Sequence, residues 1–237
     1  PASAWMDAGG GVALEGMSAL LPAGFSSTPM ARRMVACSCD AIAEVPAARW
    51  VVAALPEPVA SRARHVGFAL GTQLADCAAF GVSPAEAAAM DPCQRLLLER
   101  GYAALHDAAV GRASLGGSLT GVFLGFSGSE FGQLLGASPA GASVYAATGS
   151  SSSIACGRLS YALGLHGPCA SYDTACSAAL VASHAAVRAL QRDECALALA
   201  AGVNLTLAPA TGASFALAGM TSPRGRSHTF DARADGY

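Results

Sequence analysis

Between Thr120 and Val203, apolar runs of strand length alternate with stretches whose apolar residues recur at helical spacing, and this alternation constrains the fold more than any other feature. Thr120 to Phe126 mixes small, aliphatic and aromatic residues between glycines, and reads as a strand ending in the Gly- and Ser-rich loop Ser127 to Gly132. Thr148 to Gly164 begins with Gly149 and four serines, then places Ile154, Leu159, Tyr161 and Leu163 in an amphipathic helix. Cys169 to Tyr172 is strand-sized and follows the Gly167-Pro168 turn. Thr174-Ala175-Cys176-Ser177 comes next, ahead of a helical stripe made by Leu180, Val181, His184, Val187 and Leu190. Cys195 to Val203 reads as a further buried strand. The pattern predicts an α/β layered architecture with strands covered on both faces.

Upstream, Ser83-Pro84 opens a short helix through Ala89, and Asp91-Pro92 is an N-cap and first-turn pair for a longer one. In that helix Leu96, Leu97, Leu98, Tyr102 and Leu105 make the apolar face, and Gln94, Arg95, Glu99 and Arg100 are assigned to the opposite one. Gly111 to Ser118 punctuates the chain, while residues 1 to about 65 carry only short apolar runs such as Val12 to Leu14 and Trp50 to Leu55. With 53% hydrophobic and 13% charged residues in 237, disorder is excluded, and the length allows one large domain or two small ones.

Composition also removes several chemistries. There is no lysine, so P-loop phosphate binding, a pyridoxal Schiff base and a protein-kinase lysine are all excluded for this chain. A net charge of -2 with scattered arginines leaves no footprint for nucleic acid or an anionic membrane. Cys195 to Pro223 carries no charge, yet its strongly apolar part stops at Val203, too short to cross a bilayer, so no membrane span is expected. Eight cysteines in a chain of this length, with no signal segment, predict a reduced, cytoplasmic protein.

Among the candidate residues Cys176 stands out. A cysteine at the strand-to-helix turn lies opposite unpaired backbone N-H groups and the positive end of the helix dipole, which favours its thiolate and offers donors to an oxyanion. Cys93, Cys156 and Cys195 lie inside apolar patterns and are read as packing residues. Cys37-Ser38-Cys39 lacks a partner pair at zinc spacing, so no metal site is assigned. Asp231 to Gly236 is read as a polar turn, because Arg233 occupies what would be a calcium-ligand position. His184 is eight residues past Cys176, about 12 Å along a helix, too far for a general base, and is read as a core or structural histidine. His65, His106, His166 and His228 have no supporting pattern.

Asp173-Thr174-Ala175-Cys176-Ser177-Ala178-Ala179-Leu180-Val181-Ala182 resembles the active-site segment of β-ketoacyl synthases, in particular the ketosynthase domains of modular or type I polyketide synthases. Phe80-Gly81-Val82-Ser83-Pro84-Ala85-Glu86-Ala87 with Met90-Asp91-Pro92-Cys93-Gln94-Arg95-Leu96-Leu97-Leu98-Glu99 resembles the upstream signature of that family. Ala201-Gly202-Val203-Asn204, Ser222-Pro223-Arg224-Gly225-Arg226, Phe230-Asp231-Ala232 and Ala234-Asp235-Gly236-Tyr237 resemble its downstream one. The match is good over 67–237 and loose over 1–66, so the chain is expected to be a single incomplete ketosynthase domain. It departs from the family pattern at Cys93, at Ala178-Ala179 and at Cys156-Gly157.

The resemblance implies the N-terminal half of a thiolase-like layered fold, with the nucleophile on a buried helix and the second half incomplete. It implies decarboxylative Claisen condensation of an acyl-Cys176 intermediate with a malonyl-type thioester, in polyketide or fatty-acid biosynthesis. It further implies a homodimer, an acyl carrier protein that presents substrates on phosphopantetheine, other polyketide synthase domains as partners, and no cofactor bound directly. The family's two histidines and lysine would lie past Tyr237, and none of the five histidines here matches their motifs. A noncatalytic half-domain acting in assembly stays open, as does another thiolase-fold enzyme.

Overall fold

The computed structural model describes residues 11–128 and 130–237. Ser129, within the expected loop Ser127 to Gly132, and residues 1–10, at the start of the loosely matching region, lie outside the described residues. In chain order the helices are α1 (Thr28–Ala36), α2 (Val59–Arg62), α3 (Pro84–Ala89), α4 (Pro92–Asp107), α5 (Arg112–Leu115), α6 (Phe131–Gly136), α7 (Ala146–Gly149), α8 (Ser152–Leu163), α9 (Ala178–Gln191) and α10 (Pro209–Leu217). The strands are β1 (Ala43–Glu44), β2 (His65–Val66), β3 (Thr120–Gly125), β4 (Cys169–Tyr172) and β5 (Leu197–Gly202). Two compact units form, one from 11–18 with Thr72–Leu205, the other from Ala19–Gly71 with Thr206–Tyr237.

The first unit is built on a three-stranded parallel sheet in the order β4-β3-β5. Every residue of the central strand β3 is buried, and its alternation sorts two cores. Val122 and Leu124 pack with Leu97, Leu98 and Leu105 of α4 and Leu159 and Leu163 of α8. Phe123, on the other face, packs with Ala182, Ala186 and Ala189 of α9 and with Cys195. Helices therefore cover both faces of β3, as the alternation predicts. β5 is narrower than expected: Cys195 precedes it, and within the strand only Leu199 is buried, because β5 is an edge of the sheet. Gly111 to Ser118, expected as a turn, contains the short helix α5.

Local start signals hold. The Ser83 hydroxyl accepts from Glu86 N at 3.2 Å, and Asp91 Oδ1 accepts from Cys93 N at 2.7 Å. In α8, Ala155, Cys156, Leu159 and Leu163 are buried, while Tyr161 is 91% exposed and belongs to the wet face.

Two face assignments are overturned. Gln94, assigned to the solvent side of α4, is 1% exposed and fully hydrogen-bonded. In α9 the packed face is Ala178, Ala182, Ala186 and Ala189, whereas Leu180 is 74% exposed and His184 is exposed too, so His184 is not a core histidine. The sheet selects small residues here because glycines let the helix lie close.

The second unit contains α1, the antiparallel pair β1-β2, α2 and α10, with Val59 of α2 and Ala63 at its C-cap packed on Ala216 of α10. Ser27 caps α1 by accepting from Met30 N at 3.4 Å. The Arg226 guanidinium binds Asp40 at 2.7 Å and the Ile42 carbonyl at 3.1 Å. The Asp231 to Gly236 segment is the expected polar turn: Arg233 holds the Asp231 carboxylate at 2.8 Å and pulls its pKa down to about 2. Among the described residues no helix is long and apolar enough to cross a membrane.

Candidate active site

All three parallel strands end level, since Gly125 pairs with Tyr172 of β4 on one side and Gly202 of β5 on the other. The carboxyl ends of parallel strands are where such sheets place their chemistry, because the loops there are free to vary while the strands hold them rigidly. β4 runs directly into Asp173 and Thr174, then into a single 3-10 turn, Ala175–Ser177, before α9 begins at Ala178. Cys176 is the middle residue of that turn and is exposed.

Several contacts define the turn. Asp173 Oδ1 accepts from Ala175 N at 3.2 Å, and the Ser177 hydroxyl donates to the Thr174 carbonyl at 2.8 Å. From the loop after β3, the Ser127 hydroxyl donates to the Ala175 carbonyl at 3.1 Å. Ala175 has φ of 54°, a left-handed conformation that an alanine adopts at some cost and that surrounding contacts must hold. The reversal swings the chain from strand to helix and leaves the Cys176 side chain outside both.

The helix can start so near the sheet because two strand residues lack side chains. A Cβ on Gly125 would sit 2.6 Å from Ala179 Cα, and one on Gly202 would sit 2.6 Å from Ala179 Cβ. The paired glycines form a notch that receives the first turn of α9, and this notch sets the depth at which Cys176 is presented.

None of the histidines is placed as its partner by sequence, and the structure puts them elsewhere. His184 lies along α9, His106 and His166 are exposed at other points of the first unit, and His65 and His228 belong to the second. His65 stands 3.9 Å from Glu44, and burial lowers its pKa. Among the described residues there is no group of three or more His, Cys, Asp or Glu arranged to hold a metal. Burial and the neighbouring Asp91 charge raise the pKa of Cys93 and keep it a thiol.

Sequence reasoning missed a polar anchor beneath the site. Gln94 Nε2 donates to the Thr148 and Ser151 carbonyls, both at 3.2 Å, and its Oε1 accepts from Arg158 Nε at 2.9 Å. Arg158 in turn pairs with Glu86. These bonds fix the start of α8, whose Ser152 carbonyl accepts from the Ser171 hydroxyl of β4 at 2.7 Å. The strand that delivers Cys176 is thus tied to α8, and α8 to α4. The signal in the sequence is a glutamine in the first turn of a leucine-rich helix.

Comparison with known proteins agrees with this geometry. Residues 10–237 match the family model described as the N-terminal domain of β-ketoacyl synthases. The chain is 44% identical over 203 residues to a subunit of the phenolphthiocerol/phthiocerol polyketide synthase of Mycobacterium tuberculosis, covering 84% of this chain and 13% of that protein. It is 43% identical over 235 residues to the pikromycin polyketide synthase component PikAII of Streptomyces venezuelae, covering 97% of this chain and 6% of the relative. Among solved structures, the ketosynthase from module 6 of the bacillaene synthase of Bacillus subtilis 168 superposes with a TM-score of 0.86 at 34% identity, over 94% of this chain and 37% of that one. The chain therefore spans a small part of these synthases and under half of a solved ketosynthase. By family model, relatives and fold together, it belongs to the β-ketoacyl synthases of polyketide synthases, a family of condensing transferases with the thiolase-like fold, and it covers their N-terminal domain.

Proposed function

We propose that this chain supplies the nucleophile of a ketosynthase. The Cys176 thiolate attacks the carbonyl carbon of an acyl thioester presented on the phosphopantetheine of an acyl carrier protein. The carbon-sulfur bond to the carrier breaks, the carrier thiol departs with a proton, and the acyl group remains on Cys176. A malonyl-type thioester then loses carbon dioxide, its enolate carbon attacks the acyl carbonyl, and the Cys176 thiolate leaves as the product goes out on the carrier. The histidines and lysine that assist decarboxylation belong to the remainder of the domain in the resemblance. On this reading 1–237 is one incomplete domain that works as a homodimer beside other polyketide synthase domains, in the cytoplasm.

The observation that carries this reading is an exposed cysteine held on a strained turn at the carboxyl ends of three parallel strands, ahead of a helix of four turns. Donors at the helix start are suited to an oxyanion at the attacked carbonyl. The test uses the protein with its complete ketosynthase domain and a radiolabelled acyl thioester. Wild type takes up label at Cys176, while Cys176→Ala loses both label and condensation. Unchanged labelling of the variant removes Cys176 from the role. Labelling without release of carbon dioxide from a malonyl thioester removes the condensation but keeps the acyl transfer.

A further inference from the structure

The cysteines that the acyl-transfer reading leaves unused are not all inert packing. Cys169 is the first residue of β4, in register with Val122, and is exposed. On a strand, residues two apart share a face, so Cys169 points to the side on which Ser171 reaches α8 through its 2.7 Å bond to the Ser152 carbonyl. On the helix, Cys156 is one turn beyond Ser152 and faces the same way. Since α8 runs back along β4, the step from Ser171 to Cys169 matches the step from Ser152 to Cys156, and the two thiols come within hydrogen-bonding reach. Cys156 is 4% exposed, and in its protonated form its thiol donates to the Ser153 carbonyl at 3.3 Å.

We propose that Cys156 and Cys169 form a redox-active dithiol, a modification site that hydrogen peroxide converts into an intramolecular disulfide joining α8 to β4. The hydrogen bond from Cys169 lowers the pKa of Cys156 to about 6, and the same bond raises that of Cys169, so at neutral pH the pair holds one proton and one negative charge. Solvent reaches this charge through Cys169. When the shared proton moves to Cys156, the Cys169 thiolate attacks one peroxide oxygen. The oxygen-oxygen bond breaks, Cys169 becomes a sulfenic acid and hydroxide leaves. Cys156 then attacks the sulfenic sulfur. The sulfur-oxygen bond breaks and hydroxide departs with the Cys156 proton as water. The two sulfurs lose two electrons in all, and the peroxide oxygens gain them. No atom of the proposed acyl-transfer turn takes part, so the inference stands apart from that function. Its consequence for the site is mechanical, because β4 continues into the turn that carries Cys176.

The experiment treats the dilute wild-type chain with hydrogen peroxide, blocks remaining thiols with N-ethylmaleimide and maps an unreduced digest by mass spectrometry. The expected product is a linked peptide pair containing Cys156 and Cys169, two hydrogens lighter than the separate peptides and abolished by dithiothreitol. Exposed Cys37 and Cys39 report in the same sample that oxidant has acted. In Cys169→Ser the linked pair is absent and Cys156 is recovered with the blocking group or as an acid. Recovery of wild-type Cys156 and Cys169 as separate blocked or singly oxidised peptides, while Cys37 and Cys39 are oxidised, overturns the proposal. So does linkage of Cys169 to any other cysteine.

Discussion

Gln94 shows how much a single buried polar side chain holds in place. Its amide satisfies two backbone carbonyls and one guanidinium; Gln94 is itself buried and its partners are partly buried. Gln94→Ala leaves each without its partner, and urea unfolding should show a loss of about 3 kcal/mol. Cys156 makes a different kind of prediction. Its pKa falls from the ordinary thiol value of 9.0 to about 6 while that of Cys169 rises. Between pH 6 and 9 the folded pair holds fewer protons than the unfolded chain, so stability rises with pH; above 9 the unfolded thiols lose both protons, the folded pair keeps one, and stability falls. Thermal unfolding of Cys169→Ala across this range should show that rise and fall flattened. Neither arrangement was legible in the sequence. The partners of Gln94 lie 54 to 64 residues away, and Cys156 and Cys169 sit on elements of different period, so no local pattern links them.

At the scale of elements, the junction of α9 with the sheet is the sensitive point. Gly125→Ala drives a methyl into the backbone of Ala178 and Ala179, and should cost about 1–3 kcal/mol in denaturant titration, with slower alkylation of Cys176 as the turn is displaced. Gly157→Ala makes the opposite prediction: a Cβ there meets nothing within 4 Å, and a helical alanine should add about 0.5–1 kcal/mol. Elements with local signals were readable, among them β3, β4, the caps at Ser83 and Asp91, and the Cys176 turn. The face of α9 was not. Leucine and valine at helical spacing outweigh alanine in any hydrophobic pattern, yet the glycine notch rewards close approach, and only the alanine side fits. The helix α10 was missed because its apolar residues show no sustained period, and α1 because it is a nine-residue element with no buried residue, set among short apolar runs.

For the molecule as a whole, the exposed side of α9 is where covering by further residues can be tested. Leu180 is 74% exposed and Val187 37%. Leu180→Glu in the 237-residue chain should change stability by less than about 0.5 kcal/mol and weaken binding of a hydrophobic dye. In the protein carrying the rest of the ketosynthase domain, where the resemblance puts this helix in the interior, the same change should cost about 2 kcal/mol or more. Equal effects in both settings would mean that nothing covers this side. The alanine seam between α9 and the sheet has a further consequence. Methyl groups adhere without interlocking, so such a seam resists being pulled apart far better than it resists sliding lengthwise. Axial position must then be set by an end-stop, the seat formed by Gly125 and Gly202 together with the tether from Ser127 to Ala175. The height of the sulfur above the sheet is thus decided at one end of the helix, and changes further along it should alter cohesion while leaving the reactive atom where it is.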